Sequence, residues 1–221
     1  LDNGDYSPLM ICLASCHSLT IIDQKIIGDP LDLQMFEATG WVLEEPDVDD
    51  ENKFDLLAPT VVRPPRRKRR TPAEEEIYAS SSDFPSSCSS TEDELDVVSV
   101  NTNQRCQRDV GILRQFPFSS NLQRMSVVTR QFSGSQYVVY AKGAPEKIAS
   151  LCEPSTIPEN FNDVLHEYTH RGFRVLALAY RPLKVGLSYT RMQRAQRSDI
   201  EKDLRFLGLL TLGNLLKPET I

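Results

Sequence analysis

The stretch "YVVYAKGAPEKI" occupies residues 137–148 and joins a predicted strand to a predicted helix. β-Branched and aromatic residues run as far as Ala141, which is typical of a strand, and Pro145 suits the first position of a helix. Lys142 and Gly143 stand between them. Because a buried, unpaired lysine is unfavourable, Lys142 either extends to solvent or binds a negative partner. Gly143 admits close approach and helix N-termini attract anions, so the stretch favours an anionic or phosphorylated ligand.

The surrounding segments predict a sheet flanked by helices. A turn at Gly134 joins the strands at 125–132 and 136–143 into an antiparallel hairpin. Further strands are predicted at 109–118, 174–183 and 204–216, and helices at 7–19, 29–40, 144–152, 158–172 and 188–203. Hairpin strands followed by helix–strand alternation predict an α/β fold, in which helices lie on both sides of a twisted, mostly antiparallel sheet.

Composition limits the classes of protein that fit. The 221 residues are 40% hydrophobic and 25% charged, which suits one large domain or one domain with a long insertion. The formal net charge of -6 argues against a protein held on nucleic acid by overall charge. The five cysteines form no CxxC pair, which favours free thiols in a reducing compartment. Cys12 and Cys16 lie one helical turn apart, so packing is favoured over zinc, and no metal site is predicted.

The common motifs of catalysis are missing from the sequence. There is no GxxxxGK[ST] phosphate loop, no GxGxxG loop and no GxSxG elbow. Acidic pairs such as Glu44 with Glu45 are interpreted as solvated runs rather than general acids. We therefore predict no catalytic residue within this chain.

Residues 64–97 differ in composition from the rest and are predicted to be a disordered insertion. Within or beside them, "RPPRRKRR" (63–70) is basic and the tract at 71–96 is rich in serine and acid. The basic block has three interpretations: a solvated loop that pairs with the acidic tract, a segment attracted to an anionic membrane surface, or a nucleic-acid module. Ser89 and Ser90 precede acids and are candidate phosphorylation sites.

A second candidate region is "FPFSSNLQRMSV" at 116–127. Phe116 and Phe118 alternate around Pro117 on the same predicted strand. One phenylalanine there belongs to the core, whereas a partly exposed one offers a flat face on which a base can stack.

Three stretches together resemble the nucleotide-binding domain of P-type ATPases. They are "KGAPE" (142–146), "FPFSSNLQRMSV" (116–127) and "GDPLDLQMFEATGW" (28–41). Their sequences are similar to those of the type-V group, B branch, of polyamine-transporting endolysosomal pumps. "NLLKPET" resembles the hinge that returns the chain to the phosphorylation domain, which assigns 213–221 to that hinge. The resemblance covers the chain except for the insertion, so residues 1–221 are expected to form a single nucleotide-binding domain.

The resemblance implies a role for each matching residue. Phe118 matches the aromatic residue that stacks on adenine, and Lys142 matches the lysine that lines the adenine pocket. Other matching positions are the small residues that admit the base, the acid that contacts the nucleotide and the arginine that reaches the phosphates: Gly143 and Ala144, Asp32, and Arg174.

The sequence departs from the calcium-pump relatives at two positions. Ser120 and Gln123 stand where those pumps carry basic residues. Gln123 is still able to hydrogen-bond with a nucleotide, but it supplies no charge. Phosphate affinity is expected to fall unless Arg124 compensates.

By resemblance, the chain is the cytosolic ATP-binding domain of a multi-pass endosomal or lysosomal pump. It has no DKTG string, so it is expected to bind ATP without hydrolysing it, and Mg²⁺ is expected to be held mainly by the phosphorylation domain. Its implied partners are the phosphorylation and actuator domains of the same polypeptide. A regulatory or scaffold domain that has lost nucleotide binding remains an alternative, and so does a nucleic-acid module at 63–70, although no nucleic-acid partner is predicted.

Overall fold

A computed structural model describes residues 7–45, 60–65 and 108–213. Three predictions therefore fall wholly or largely outside the described residues: the disorder of 64–97, of which only 64 and 65 are described, phosphorylation at Ser89 and Ser90, and the hinge at 213–221, of which only Gly213 is described. None of the helices in the described ranges is long and apolar enough to cross a membrane.

Seven strands form the main sheet, and their order in the sheet follows their order in the chain. Each neighbouring pair is antiparallel. The strands are β3 (Val42–Glu44), β4 (Thr60–Arg63), β5 (Val110–Ser119), β6 (Arg124–Gln131), β7 (Tyr137–Gly143), β8 (Arg174–Pro182) and β9 (Arg205–Leu212). A separate two-stranded hairpin consists of β1 (Thr20–Ile22) and β2 (Lys25–Ile27).

Six α-helices accompany the strands in the described part of the chain. They are α1 (Pro8–Ser15), α2 (Pro30–Thr39), α3 (Pro145–Ala149), α4 (Phe161–His170), α5 (Tyr189–Arg194) and α6 (Arg197–Ile200). The two N-terminal helices begin as predicted, because Ser7 and Asp29 accept hydrogen bonds from the backbone of the first turn and a proline follows each. Gly40 ends α2 with a φ of 66°, a conformation that favours glycine.

Helices cover both faces of the sheet. The face under α1 and α2, here called the α1–α2 face, contributes Met125, Val127, Tyr140 and Leu178 to a core that also holds Cys12, Cys16 and Phe36. The opposite face, here called the α3–α6 face, packs against Ile148 of α3, Leu165 of α4, Met192 of α5 and Ile200 of α6. The predicted α/β fold with helices on both sides of an antiparallel sheet is confirmed.

One local prediction is wrong. The polar segment 188–203 is not one helix, since the backbone at Ala195 is extended (ψ 142°) and separates α5 from α6. The guanidinium of Arg114 donates to the carbonyls of Met192 and Ala195, each at 2.8 Å, which stabilises this break. The acids Glu44 and Glu45 are only half-exposed and are hydrogen-bonded, Glu44 to Arg63 and Glu45 to Thr20.

Arg63, the first cation of the basic block, belongs to the sheet. It lies at the end of β4 and forms ion pairs with Glu44 and Asp109, each at 2.8 Å. Its charge is therefore matched within the fold, and the remaining arginines and lysine of the block, at 66–70, lie outside the described residues.

The antiparallel register gathers the predicted site residues at one end of the sheet. Lys142 on β7 pairs with Met125 on β6 and with Leu178 on β8. At this end β5 finishes at Ser119 and β8 begins at Arg174. The fold thus places residues from distant parts of the chain at the same end of the sheet, without bringing all of them into contact.

Candidate functional site

Lys142 is buried and paired. Its side chain is 5% exposed, and its amine forms an ion pair with the carboxylate of Asp32. The thioether sulfur of Met35 lies 3.6 Å from the same amine. Lys142 therefore does not extend to solvent. Its side chain reaches from the sheet to α2, where Asp32 supplies the negative partner that a buried cation needs.

Asp32 uses both of its carboxylate oxygens. Oδ1 accepts from Lys142, and Oδ2 accepts from the backbone N–H of Ser18 at 3.0 Å. The side-chain amide of Gln115, on β5, donates to the carbonyl of His17 and to Ser18 Oγ. A continuous polar chain thus runs from β5 through the loop after α1 to α2 and β7, and it fixes α2 over the strand ends.

His17 lies in this polar region as a neutral ring. Its Nδ1 accepts from the N–H of Leu19 at 3.2 Å, so Nε2 carries the proton and donates to the carbonyl of Ala14 at 2.9 Å. Burial, and secondly the positive charge of Lys142, lower the pKa of His17 from 6.5 to about 4. His17 is consequently uncharged near neutral pH.

The two phenylalanines of β5 have different environments. Phe116 is 8% exposed and belongs to the core of the α3–α6 face, whereas Phe118 is 61% exposed. The register shifts between Phe116 and Ser119, so that Pro117 and Phe118 together oppose the single residue Met125. Because Met125 also pairs with Lys142, Phe118 stands two strand spacings from Lys142, roughly 10 Å.

Gly143 has a packing role that the sequence did not identify. A Cβ placed on it would lie 2.7 Å from Cβ and 2.8 Å from Cα of Arg124, distances that real side chains do not show. The next residue, Ala144, donates its N–H to the carbonyl of Gln123 at 2.9 Å. The group that approaches the glycine closely here is thus the turn between β5 and β6, and admission of a base by Gly143 and Ala144 stays a prediction.

Arg124 forms an ion pair within the fold. Its guanidinium pairs with Glu201 at 2.7 Å on the α3–α6 face, away from Lys142. Ser120 and Gln123 are exposed in the turn, and the backbone of Gln123 has a φ of 51°.

Arg174 lies farther out along the sheet. It is exposed at the start of β8, four residues before Leu178, which pairs with Lys142. Four residues of strand span roughly 13 Å, and even spacing puts Arg174 on the same face as Leu178. The structure thus joins Asp32 to Lys142 in direct contact and sets Phe118 and Arg174 apart from them, at the same end of the sheet.

Comparison with known families identifies the type of domain that this chain forms. A family model described as "P-type ATPase, cytoplasmic domain N" matches residues 90–219, more than half of the chain. The chain belongs to this family.

Relatives of the N domain are transport ATPases. The chain is 43% identical over 214 residues to the polyamine-transporting ATPase 13A3 of Macaca fascicularis, and 40% identical over 213 residues to the polyamine-transporting ATPase 13A2 of Homo sapiens. It is 38% identical over 215 residues to the probable cation-transporting ATPase 13A5 of Homo sapiens. These matches cover 96–97% of this chain and 15–16% of the relatives, so the chain spans about one sixth of their length.

A cavity on the described part of the N domain lies elsewhere. It has a volume of about 650 Å³ and is found at the other end of the sheet, where β8 finishes and β9 begins, with Arg181, Leu183, Asp199 and Lys202 among its lining residues. None of the described residues predicted for the nucleotide lines it. The cavity therefore does not mark the candidate site.

Cysteines and metal-binding side chains give no second site in the described ranges. Cys12 belongs to α1 and Cys16 directly follows it. Both are fully buried in the core, as the packing interpretation predicts, and burial is the main cause that raises the pKa of the Cys12 thiol. No group of three His, Cys, Asp or Glu side chains there is arranged to hold a metal ion.

Sequence reasoning missed Glu201 and Arg197, which form a buried network under the turn between β5 and β6. Both lie in a polar segment without apolar periodicity. No motif in the sequence marks them, since their partners Arg124 and Ser126 lie more than 70 positions earlier.

Proposed function

We propose that this N domain binds ATP at the end of the sheet formed by β5, β7 and β8. The proposal rests on one observation above the others. An exposed aromatic ring, Phe118, stands beside a strand end whose lysine is fixed to a helix by Asp32. In this arrangement Phe118 stacks on adenine, the Lys142–Asp32 pair forms the polar wall next to the base, and Arg174 reaches the phosphates.

The chain's own residues supply binding and orientation rather than covalent chemistry. In the intact pump the domain presents the γ-phosphate to the aspartate of the phosphorylation domain, and the rate gain comes from positioning. The described residues do not suit Mg²⁺ as a resident ion, because no three candidate ligands converge and both oxygens of Asp32 are engaged. Mg²⁺ is therefore assigned to the phosphorylation domain, and the isolated chain binds ATP without hydrolysing it.

The intact protein is proposed to be an ATP-driven polyamine transporter of endosomes or lysosomes, with this chain facing the cytosol. Two of the relatives described above carry polyamine transport in their names. The phosphorylation and actuator domains of the same polypeptide are its proposed partners. The basic residues at 66–70 are proposed to contact an anionic membrane surface, whereas Arg63 is committed to the sheet.

Weak binding is expected from the forces involved. Stacking on Phe118 contributes about 1–3 kcal/mol. Two charge-assisted hydrogen bonds add about 1.5–3 kcal/mol each, and lost translational freedom takes back at least ~4 kcal/mol. The balance corresponds to a Kd of about 1 mM.

A titration with ATP, followed residue by residue by NMR, tests this proposal. Saturable shifts are expected at Phe118, Lys142 and Arg174, and Arg174→Gln should weaken binding. Arg171→Gln is the matched control, since Arg171 is an exposed arginine that pairs with Glu167 instead. An absence of shifts at about 10 mM ATP, ten times the expected Kd, would reject ATP binding.

The alternative, a regulatory or scaffold domain that has lost nucleotide binding, is favoured by a specific observation. Lys142 and Arg124 are both neutralised by carboxylates within the fold, and Ser120 and Gln123 carry no charge. The same titration separates the two functions, because a scaffold domain would show no saturable shifts.

A further inference from the structure

One arginine holds both strands of the turn that carries Phe118. Arg197, at the start of α6, donates to the carbonyl of Pro117 on β5 at 3.2 Å and to the carbonyl of Arg124 on β6 at 2.9 Å. Its Nε also donates to Glu201 at 2.8 Å. A guanidinium suits this task because its donors form a rigid planar fork, which a lysine cannot reproduce.

Glu201 fixes the arginine in place. It is 1% exposed, and besides Arg197 it accepts from Arg124 Nε at 2.7 Å and from Ser126 Oγ at 2.6 Å. A buried carboxylate with this many charge-assisted donors is well compensated. Arg124 and Ser126 both belong to β6, so Glu201 connects the start of that strand to α6.

The contact at Pro117 falls on the bulge that orients Phe118. Strand pairing passes from Phe116 directly to Ser119, so the carbonyl of Pro117 lies in the interrupted stretch and accepts from Arg197 instead. Two guanidinium groups lie near the ring of Phe116, that of Arg114 at 4.3 Å and that of Arg197 at 5.8 Å from its centroid. Phe116 and the carbonyl of Pro117 are thereby held from the α3–α6 face.

We infer that Arg197 and Glu201 are positioning residues for nucleotide binding: they hold the bulge from the α3–α6 face so that Phe118 stands ready on the α1–α2 face. The inference rests on the proposed ATP site. Arg197 lies on the far face of the sheet and acts only through Phe118. Fixing the ring before binding avoids the entropy of ordering it at binding.

A double-mutant cycle tests the inference. The variants are Arg197→Lys, which keeps the charge but not the fork, Phe118→Leu, which keeps apolar volume but not the ring, and both together. The matched control is Arg194→Lys, on the same segment. ATP Kd is measured by NMR titration, and side-chain couplings report the χ1 distribution of Phe118 in the free domain.

Arg197→Lys is expected to raise the Kd about fivefold, the size of a typical coupling between interacting residues. The effect should disappear in the Phe118→Leu background, and the Phe118 χ1 distribution should broaden, whereas Arg194→Lys should change neither. Effects of Arg197→Lys and Phe118→Leu that add independently would overturn the inference, and so would an unchanged Kd or χ1 distribution. If Arg197→Lys unfolds the domain, Ser126→Ala, which removes one hydrogen bond to Glu201, is judged by the same criteria.

Failure of the proposed function gives a different result. A domain that shows no saturable ATP shifts at all would reject nucleotide binding. The χ1 measurement then still decides whether Arg197 positions Phe118.

Discussion

Two sets of buried ionic contacts lie on opposite faces of the main sheet, and they differ in what they hold. On the α1–α2 face, Lys142 of β7 meets one carboxylate, and the pair connects the sheet to α2. On the α3–α6 face, one carboxylate, Glu201, meets two arginines and a hydroxyl.

The two faces differ in the number of partners that each buried carboxylate has. In the first pair, each charge is matched once, and the neighbouring His17 is kept neutral. In the second, one carboxylate accepts hydrogen bonds from two arginines, and both arginines also donate to backbone carbonyls of the turn or its flanking strands. The first pair fixes a helix, and the second fixes the turn that carries Phe118.

The Glu201 network should be the more sensitive of the two. Glu201→Gln leaves two guanidinium groups without their counterion, and we expect it to lower the free energy of unfolding by about 4 kcal/mol. Urea denaturation measures the loss. Asp199→Asn is the control, because the Asp199 side chain is 63% exposed and should contribute little. A loss below about 1 kcal/mol would mean that the arginines find solvent or other acceptors, contrary to the network described here.

Lys142→Met should have a smaller effect of about 3 kcal/mol, since it leaves one unpaired carboxylate that still accepts from Ser18. Replacement of both partners, Lys142→Met with Asp32→Leu, should recover much of that loss because no buried charge remains. Urea denaturation of the two single variants and the double variant gives the coupling between them. If the double variant is as unstable as the sum of the single variants, the two side chains do not act as a pair.

Local patterns were sufficient to predict much of the fold. The caps at Ser7 and Asp29, the stop at Gly40 and the hairpin around Gly134 each depend on a few adjacent residues, and each is present. The strands β1 to β4 were not predicted, because three or four residues are too few for a periodic pattern to be recognised.

The candidate site was harder to predict because its interactions are distant in sequence. Asp32 and Lys142 are 110 positions apart, and Arg124 and Glu201 are 77 apart. The glycine beside Lys142 correctly signalled a close approach, yet only the structure identifies the turn at Gln123–Arg124 as the approaching group. Sequence spacing alone cannot assign a partner when the register of the intervening segments decides which side chains meet.

The last test uses pH to distinguish the two faces. The pKa of His17 falls from 6.5 in its ordinary state to about 4 in the fold, so between these values the unfolded chain binds a proton that the folded chain does not. Stability is therefore complete above about pH 6.5 and is lost as pH falls, by about 1 kcal/mol between pH 7 and 5.5. Urea denaturation at the two pH values should show this loss in the parent and in the control His166→Gln, an exposed histidine, but not in His17→Gln. Lys142→Met should reduce the loss, since the charge of Lys142 is the second cause of the lowered pKa, whereas Arg197→Lys on the other face should leave it unchanged. An equal pH dependence in His17→Gln and the parent would contradict the neutral, buried state of His17.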